Sequence, residues 1–125
     1  LLLEPTRIYV RNILPLIGRF DIRGMAHNTG GAFYEKLTKC LPDHCAFEIK
    51  KGSWPMPEIF DLIQKKACVK EAELYRTFNM GVGFIVVAKE NDAPAIQAAL
   101  KKTGMPSFLI GKVVRRNKEK LNLIP

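Results

Sequence analysis

Apolar and polar residues follow two rhythms along this chain. Between positions 10 and 20 the apolar residues fall at Ile13, Leu14, Leu16, Ile17 and Phe20, a helical spacing. Pro15 interrupts it by removing one backbone donor, which predicts a helix that is short or begins near Leu14. Gly18 helps to end it. Before it, Pro5-Thr6-Arg7-Ile8-Tyr9 opens the domain, with Glu4 kept extended by Pro5 and Ile8 and Val10 on one side of an extended segment. Residues 22–27 read as the first core strand. A helix follows that presents Phe33, Tyr34, Leu37 and Leu41 and stops at Pro42.

The strand rhythm returns at 45–50, where apolar and polar residues alternate. Pro57 suits the first turn of a helix, Glu58 favours its dipole, and Ile59, Phe60, Leu62 and Ile63 form its buried face. A short helix fits 70–78. Residues 79–88 read as a strand entered through Gly81 and Gly83. Its part from 84 to 88 is apolar on both faces and belongs inside. Asn91 or Asp92 caps the next helix, which has Pro94 in its first turn, points Ile96, Ala99 and Leu100 inward and ends at Gly104. Residues 108–114 form the last predicted strand. The order is β-α-β, two helices, then β-α-β. It predicts an α+β fold, a three-layer α/β/α sandwich with a mixed sheet, partly ferredoxin-like.

With 125 residues and a hydrophobic fraction of 47%, the chain suffices for one domain, 1–125, with a real core, and disorder is excluded. The longest strongly apolar run is too short to span a bilayer. Leu1-Leu2-Leu3-Glu4-Pro5 lacks the features of a signal peptide, and the missing initiator Met suggests a piece of something longer. Three cysteines, Cys40, Cys45 and Cys68, are too few and too odd for a disulfide framework, which fits a reducing cytoplasm. Cys40, His44 and Cys45 lie close together, but no second pair completes a tetrahedral zinc set, so no metal is expected on this chain. Of the net charge of +8, the residues from Lys112 onward carry +4. No aromatics are interleaved there to stack bases, which favours a solvated tail that mildly attracts anions.

Chemistry concentrates in two glycine-bearing stretches. In Met25-Ala26-His27-Asn28-Thr29-Gly30-Gly31-Ala32 a strand turns into a helix. Thr29 stands at the N-cap position. Ala32 occupies the place where a capping box needs Glu or Gln, so no carboxylate is expected over the amides of Gly30, Gly31 and Ala32. Bare amides at a helix start favour an anion, and phosphate is the usual one. Many strand-to-helix turns use Gly-Gly for close packing alone, and on the motif by itself that is the commoner case. In the second stretch, Arg76-Thr77-Phe78-Asn79-Met80-Gly81-Val82-Gly83, the glycines let backbone approach another chain segment or a ligand. Asn79 can donate and accept, and Arg76 can fork to phosphate or carboxylate.

These runs, with Glu4-Pro5-Thr6-Arg7-Ile8-Tyr9 and Gly52-Ser53-Trp54-Pro55, occur in an order that closely resembles the C-terminal domain of phosphoribosylformylglycinamidine cyclo-ligase, also called AIR synthase. The resemblance runs from about Leu3 to Val114. The glycine turn alone is shared more loosely with selenophosphate synthetase and thiamine-monophosphate kinase. The resemblance implies an ATP- and Mg²⁺-using ligase of purine biosynthesis that closes an imidazole ring, releasing ADP and phosphate. It also implies that the ATP-binding segment, the metal ligands and the homodimer contacts belong to an N-terminal domain, so that this half is inactive alone. The family usually has a third glycine where Ala32 stands, and Ile where Asn28 stands.

On this reading the amides of Gly30, Gly31 and Ala32, with the Thr29 hydroxyl, hold the ribotide phosphate or one derived from ATP. Asn79 and Arg76 stand nearby. His27 donates to the same anion or moves a proton, although a lone His at a strand end is more often structural. Arg7 and Arg76 serve anions or salt bridges to the preceding domain. Trp54 reads as a packing anchor. Two other classes remain: a basic α+β module that binds RNA or a phosphate ligand without catalysis, and a purely structural or dimerising half.

Overall fold

A computed structural model of the chain describes residues 7–31 and 33–125. Ala32 and the Glu4-Pro5 opening lie outside the described residues. The first helix, α1, is Val10–Arg19 and runs through Pro15 rather than starting at Leu14. Pro15 faces solvent, so water can take the carbonyl whose intrahelical donor it removes, and the helix survives the loss. Val10 opens the helix instead of extending the segment before it. Gly18 lies inside, and the end is set by Phe20, whose N–H donates to the Leu16 carbonyl at 2.9 Å.

The strands divide between two sheets. Strand β1, Ile22–His27, runs antiparallel to β3, Phe84–Ala88, from the pair Ile22↔Ala88 to the pair His27↔Phe84, with a bulge between Ile22 and Gly24. Strand β2, Cys45–Lys50, is central in the mixed sheet. It lies antiparallel to β4, Gly111–Arg115, and parallel to β5, Leu121–Ile124. The α+β class is as expected. β3 is inside in the layer sense only, because within its sheet it pairs with β1 alone. Its side chains divide between two cores: Ile85 and Val87 join one, and Phe84, Val86 and Ala88 the other.

The larger core gathers Phe33, Leu37, Phe47, Trp54, Leu74 and Tyr75, among others. Phe33 and Leu37 come from one wide π-helical turn, Phe33–Leu37, continued by a 3-10 turn, Thr38–Cys40. Leu41 is already extended, as a residue before proline tends to be. Trp54 is the anchor expected of it: its indole N–H donates to the Met80 carbonyl at 2.9 Å and its ring stacks on Phe33. Two helices close this core, α2 (Glu58–Ala67) and α3 (Glu71–Thr77). Leu62 departs from the expected buried face of α2 and is exposed. Burial pushes the Tyr75 phenol up, with a further push from Glu71. The smaller core joins Ile13 and Leu16 of α1 to Ile96 and Leu100 of α4, Ala93–Lys102, against the outer face of the β1–β3 ladder.

The C-terminal segment differs most from expectation. Residues 108–110 are not strand, and Phe108 and Leu109 are exposed. The basic segment is not a free tail, since it leads into β5, where Leu121 is buried. Lys120 pairs with Asp43 at 3.0 Å, and Arg116 donates to the Lys118 and Asp43 carbonyls. The Lys120 ammonium holds the Asp43 carboxyl below the usual carboxylate range. Part of the positive charge therefore lies on the segment that leads into the β2–β5 ladder. Among the described residues, no helix is long and apolar enough to cross a membrane.

Leu37 and Leu14 make a matched pair for testing which apolar residues hold the fold. Leu37→Ala should cost about 2–5 kcal/mol in urea unfolding, as a filled core site demands. Leu14→Ala, on the exposed side of α1, should stay within about 0.5 kcal/mol.

Candidate functional site

Strand β1 delivers His27 and Asn28 to the point where β3 begins. The Asn28 N–H donates to the Gly83 carbonyl at 2.8 Å. The Asn28 side chain is 1% exposed, and its Nδ2 donates to the Val82 carbonyl at 2.8 Å, with the Asn79 carbonyl at 3.5 Å. One residue thus stitches the first glycine stretch to the second. Asn28 is a buried bridge. Its Oδ1 is buried without a hydrogen-bond partner, a loss of about 1–3 kcal/mol relative to a satisfied acceptor.

Asn79 works within its own loop. Its Oδ1 accepts the Gly81 N–H at 2.9 Å, and its carbonyl accepts the Val82 N–H at 2.9 Å. That tight turn puts Met80 and Gly81 at φ 53° and 89°. The closeness permitted by the glycines serves other chain segments. A Cβ on Gly81 would meet the Pro57 ring, and one on Gly83 would fall on the Tyr9 hydroxyl. Tyr9, His27 and Phe84 pack as a ring cluster, with the Tyr9–Phe84 centroids 5.2 Å apart.

The first glycine turn is less bare than its sequence suggests. Gly31 has φ 79°, and a Cβ there would land on the Glu35 carboxylate. The Glu35 N–H donates to the Gly31 carbonyl at 3.0 Å. The capping-box spacing of three supplies no carboxylate to the turn; the carboxylate comes instead from Glu35, four residues beyond Gly31. The helical turn also starts at Phe33 rather than next to Thr29, and it is five residues long. Its dipole is correspondingly small. Thr29 and Gly30 are exposed, and a Cβ on Gly30 would meet nothing within 4 Å. Of the expected anion-binding positions, Gly30 therefore has open space over it.

Arg76 is carried by α3 to the turn that follows the glycines. Its guanidinium lies 4.3 Å from the Tyr34 ring centroid and 3.8 Å from a Glu73 carboxylate oxygen, with the side chain 55% exposed. It rests on the flank of the turn. The structure brings His27, Thr29, Gly30, Gly31 and Asn79 to one region and Arg76 to its border. Three contributors were missed: Asn28, Glu35 and Tyr9. The i, i+4 spacing of Gly31 and Glu35 was the only available signal for Glu35. For the other two, the sequence carries no local sign of a long-range partner.

Asn28→Asp tests the bridge. At pH 7 a carboxylate would face the Val82 carbonyl that now accepts Nδ2–H, costing about 2–4 kcal/mol in urea unfolding. The folded-state pKa of that buried Asp would lie above its unfolded value. The lost stability should therefore return as pH falls towards the ordinary Asp range of about 4, while the wild-type chain shows no such recovery.

A family model described as AIR synthase related protein, C-terminal domain, matches residues 1–124. A phosphoribosylformylglycinamidine cyclo-ligase of Bacillus velezensis is 45% identical over 114 residues, covering 91% of this chain and 33% of the relative. That of Bacillus pumilus is 46% identical over 112 residues, 90% of this chain and 32% of the relative. That of Syntrophotalea carbinolica is 42% identical over 118 residues, 94% of this chain and 34% of the relative. The chain spans about a third of the length of the curated relatives it matches. Matched along nearly its whole length, the chain belongs to the AIR synthase related protein C-terminal domain family.

Proposed function

We propose that this chain is the C-terminal, substrate-side part of a phosphoribosylformylglycinamidine cyclo-ligase and that it acts only together with an N-terminal domain. The observation that carries the proposal is the identity of 45–46% over about nine-tenths of the chain to proteins of that name. In this reading the full-length enzyme, a homodimer in the cytoplasm, uses ATP and Mg²⁺ to activate the formyl amide oxygen of its ribotide substrate. An amidine nitrogen then attacks and closes the imidazole ring, releasing ADP and phosphate. The three free cysteines suit that compartment. ATP and Mg²⁺ are assigned chiefly to the N-terminal domain.

The contribution of this chain is to bind and position. Open space over Gly30 and the exposed Thr29 suit a phosphate group on the ribotide, with Gly31 continuing the turn. Glu35 is the obstacle: an incoming phosphate must displace its carboxylate from Gly31. His27, exposed at the end of β1, offers a ring nitrogen to the same anion. Arg76 supplies positive charge at the border, and Asn79 holds the second loop in place. Fixing one end of the substrate in this way converts binding energy into orientation at the reacting atoms.

The test is a chimera in which this chain replaces the C-terminal third of the Bacillus pumilus relative, assayed for ATP-dependent ring closure. Turnover is expected, and a folded chimera with none would overturn the proposal. Gly31→Asp is a poor probe, because the positive φ and Glu35 penalise any side chain there. Gly30→Asp has room and should lower kcat/KM by about tenfold or more, with the thermal melt unchanged. Glu35→Gln should tighten inorganic phosphate binding in an NMR titration. Shifts that avoid Thr29, Gly30 and Gly31 in both proteins would remove the phosphate role.

A further inference from the structure

Five large apolar side chains are exposed on one groove. Ile8, Val10 and Leu14 are 80%, 58% and 60% exposed, and Ile17 and Met25 join them. The groove holds about 440 Å³, lies along α1 and the end of β1, and has Arg7 and His27 among its lining residues. Single exposed apolar residues are ordinary, but a contiguous set beside charged groups marks a contact surface. The pattern of α1 agrees. The helix buries Ile13 and Leu16 against α4 and leaves Val10, Leu14 and Ile17 uncovered, so its apolar arc is wider than the face the described residues cover.

We propose that this groove docks the domain that precedes this one in the full-length enzyme, an inference that rests on the function proposed above. Two observations choose the occupant. The family is a C-terminal domain and the chain spans about a third of its relatives, so the remaining two-thirds precede it and join through Arg7 and Ile8, which line the groove themselves. The groove is also continuous with the candidate site, because His27 lines it and ends the strand that leads to Asn28. A domain seated there reaches the glycine turn from the α1 side. Arg7 calls for acidic residues at the edge of the docked surface, around an apolar centre.

The experiment is side-chain oxidation footprinting of the same chimera, compared with the 125-residue chain alone. Met25, Leu14 and Ile17 should be protected severalfold in the chimera, while Phe108, exposed outside the groove, should be labelled equally in both. Leu14→Glu in the chimera should restore labelling of Met25 while the chain alone keeps its melting temperature. Equal labelling of the groove in chimera and isolated chain overturns the proposal. So does protection in the isolated chain that fades on dilution, which would make the occupant a second copy. Protection of the isolated chain that is independent of concentration and lost on deleting residues 1–6 overturns it too, since the chain's own leucines would then be the cover. A protected groove without turnover leaves the docking inference standing and sinks the catalytic reading; turnover with an unprotected groove does the reverse.

Discussion

A single buried amide holds the two chemically unusual stretches of this chain together. Asn28 donates its backbone N–H to Gly83 and its side-chain N–H to Val82, across more than fifty positions of sequence. Around that bridge the other constraints fall into line. Trp54 fixes the Met80 carbonyl, the Asn79 side chain closes the turn at Gly81, and the Tyr9 hydroxyl presses on Gly83. Each of these hydrogen bonds contributes about 0.5–1.5 kcal/mol on its own. Together they set where β3 starts, and so where His27 finds its partner Phe84. The unpaired Oδ1 of Asn28 is the cost of using an amide where a hydrocarbon side chain would have needed no partner.

The glycines divide by what would meet a side chain on each. Gly81 and Gly83 are closed by Pro57 and Tyr9, and Gly31 by its own positive φ and by Glu35. At these three the absence of a side chain serves folding. Gly30 alone in the two stretches combines exposure with empty space beyond it. Two adjacent glycines of the same motif therefore do different work: Gly31 turns the chain, and Gly30 leaves its approach clear. Counting both as bare amides treats the turn as wider than it is.

Periodicity made most elements readable, because burial of a helix face or a strand face leaves a local trace. Strands 22–27 and 45–50 and the inward Ile96 and Leu100 are of this kind. The errors arise where the deciding contact is distant or where a local penalty is outweighed. Pro15 reads as a break, yet Ile13 and Leu16 are buried on either side of it and packing carries the helix through. Leu121 and Leu123 lie behind five basic residues, so charge masked a strand that exists because β2 offers a free parallel edge. Leu62 reads as core by its spacing, but α2 turns it outward. In the site, the positions of His27, Thr29 and Asn79 were legible from turn chemistry. The roles of Asn28, Glu35 and Tyr9 depend on partners that local pattern does not reveal.

The β1–β3 ladder shows how these features act together. A two-stranded ladder is marginal in water unless something covers it. Here one face rests on Phe33, Trp54 and their neighbours, and the other on Ile13, Leu16, Ile96 and Leu100. Exposure along β1 goes by face: Arg23, Met25 and His27 are exposed, while Ala26, next to His27, is buried and pairs with buried Ile85. The end of the ladder is thus held from below by the Asn28 bridge while its outer side stays open. Support under an open side would let one wall of the proposed pocket keep its shape before the opposite wall arrives. In the docking proposed above, whatever covers Leu14 and Ile17 would come within reach of His27, so that docking and pocket completion would be a single event.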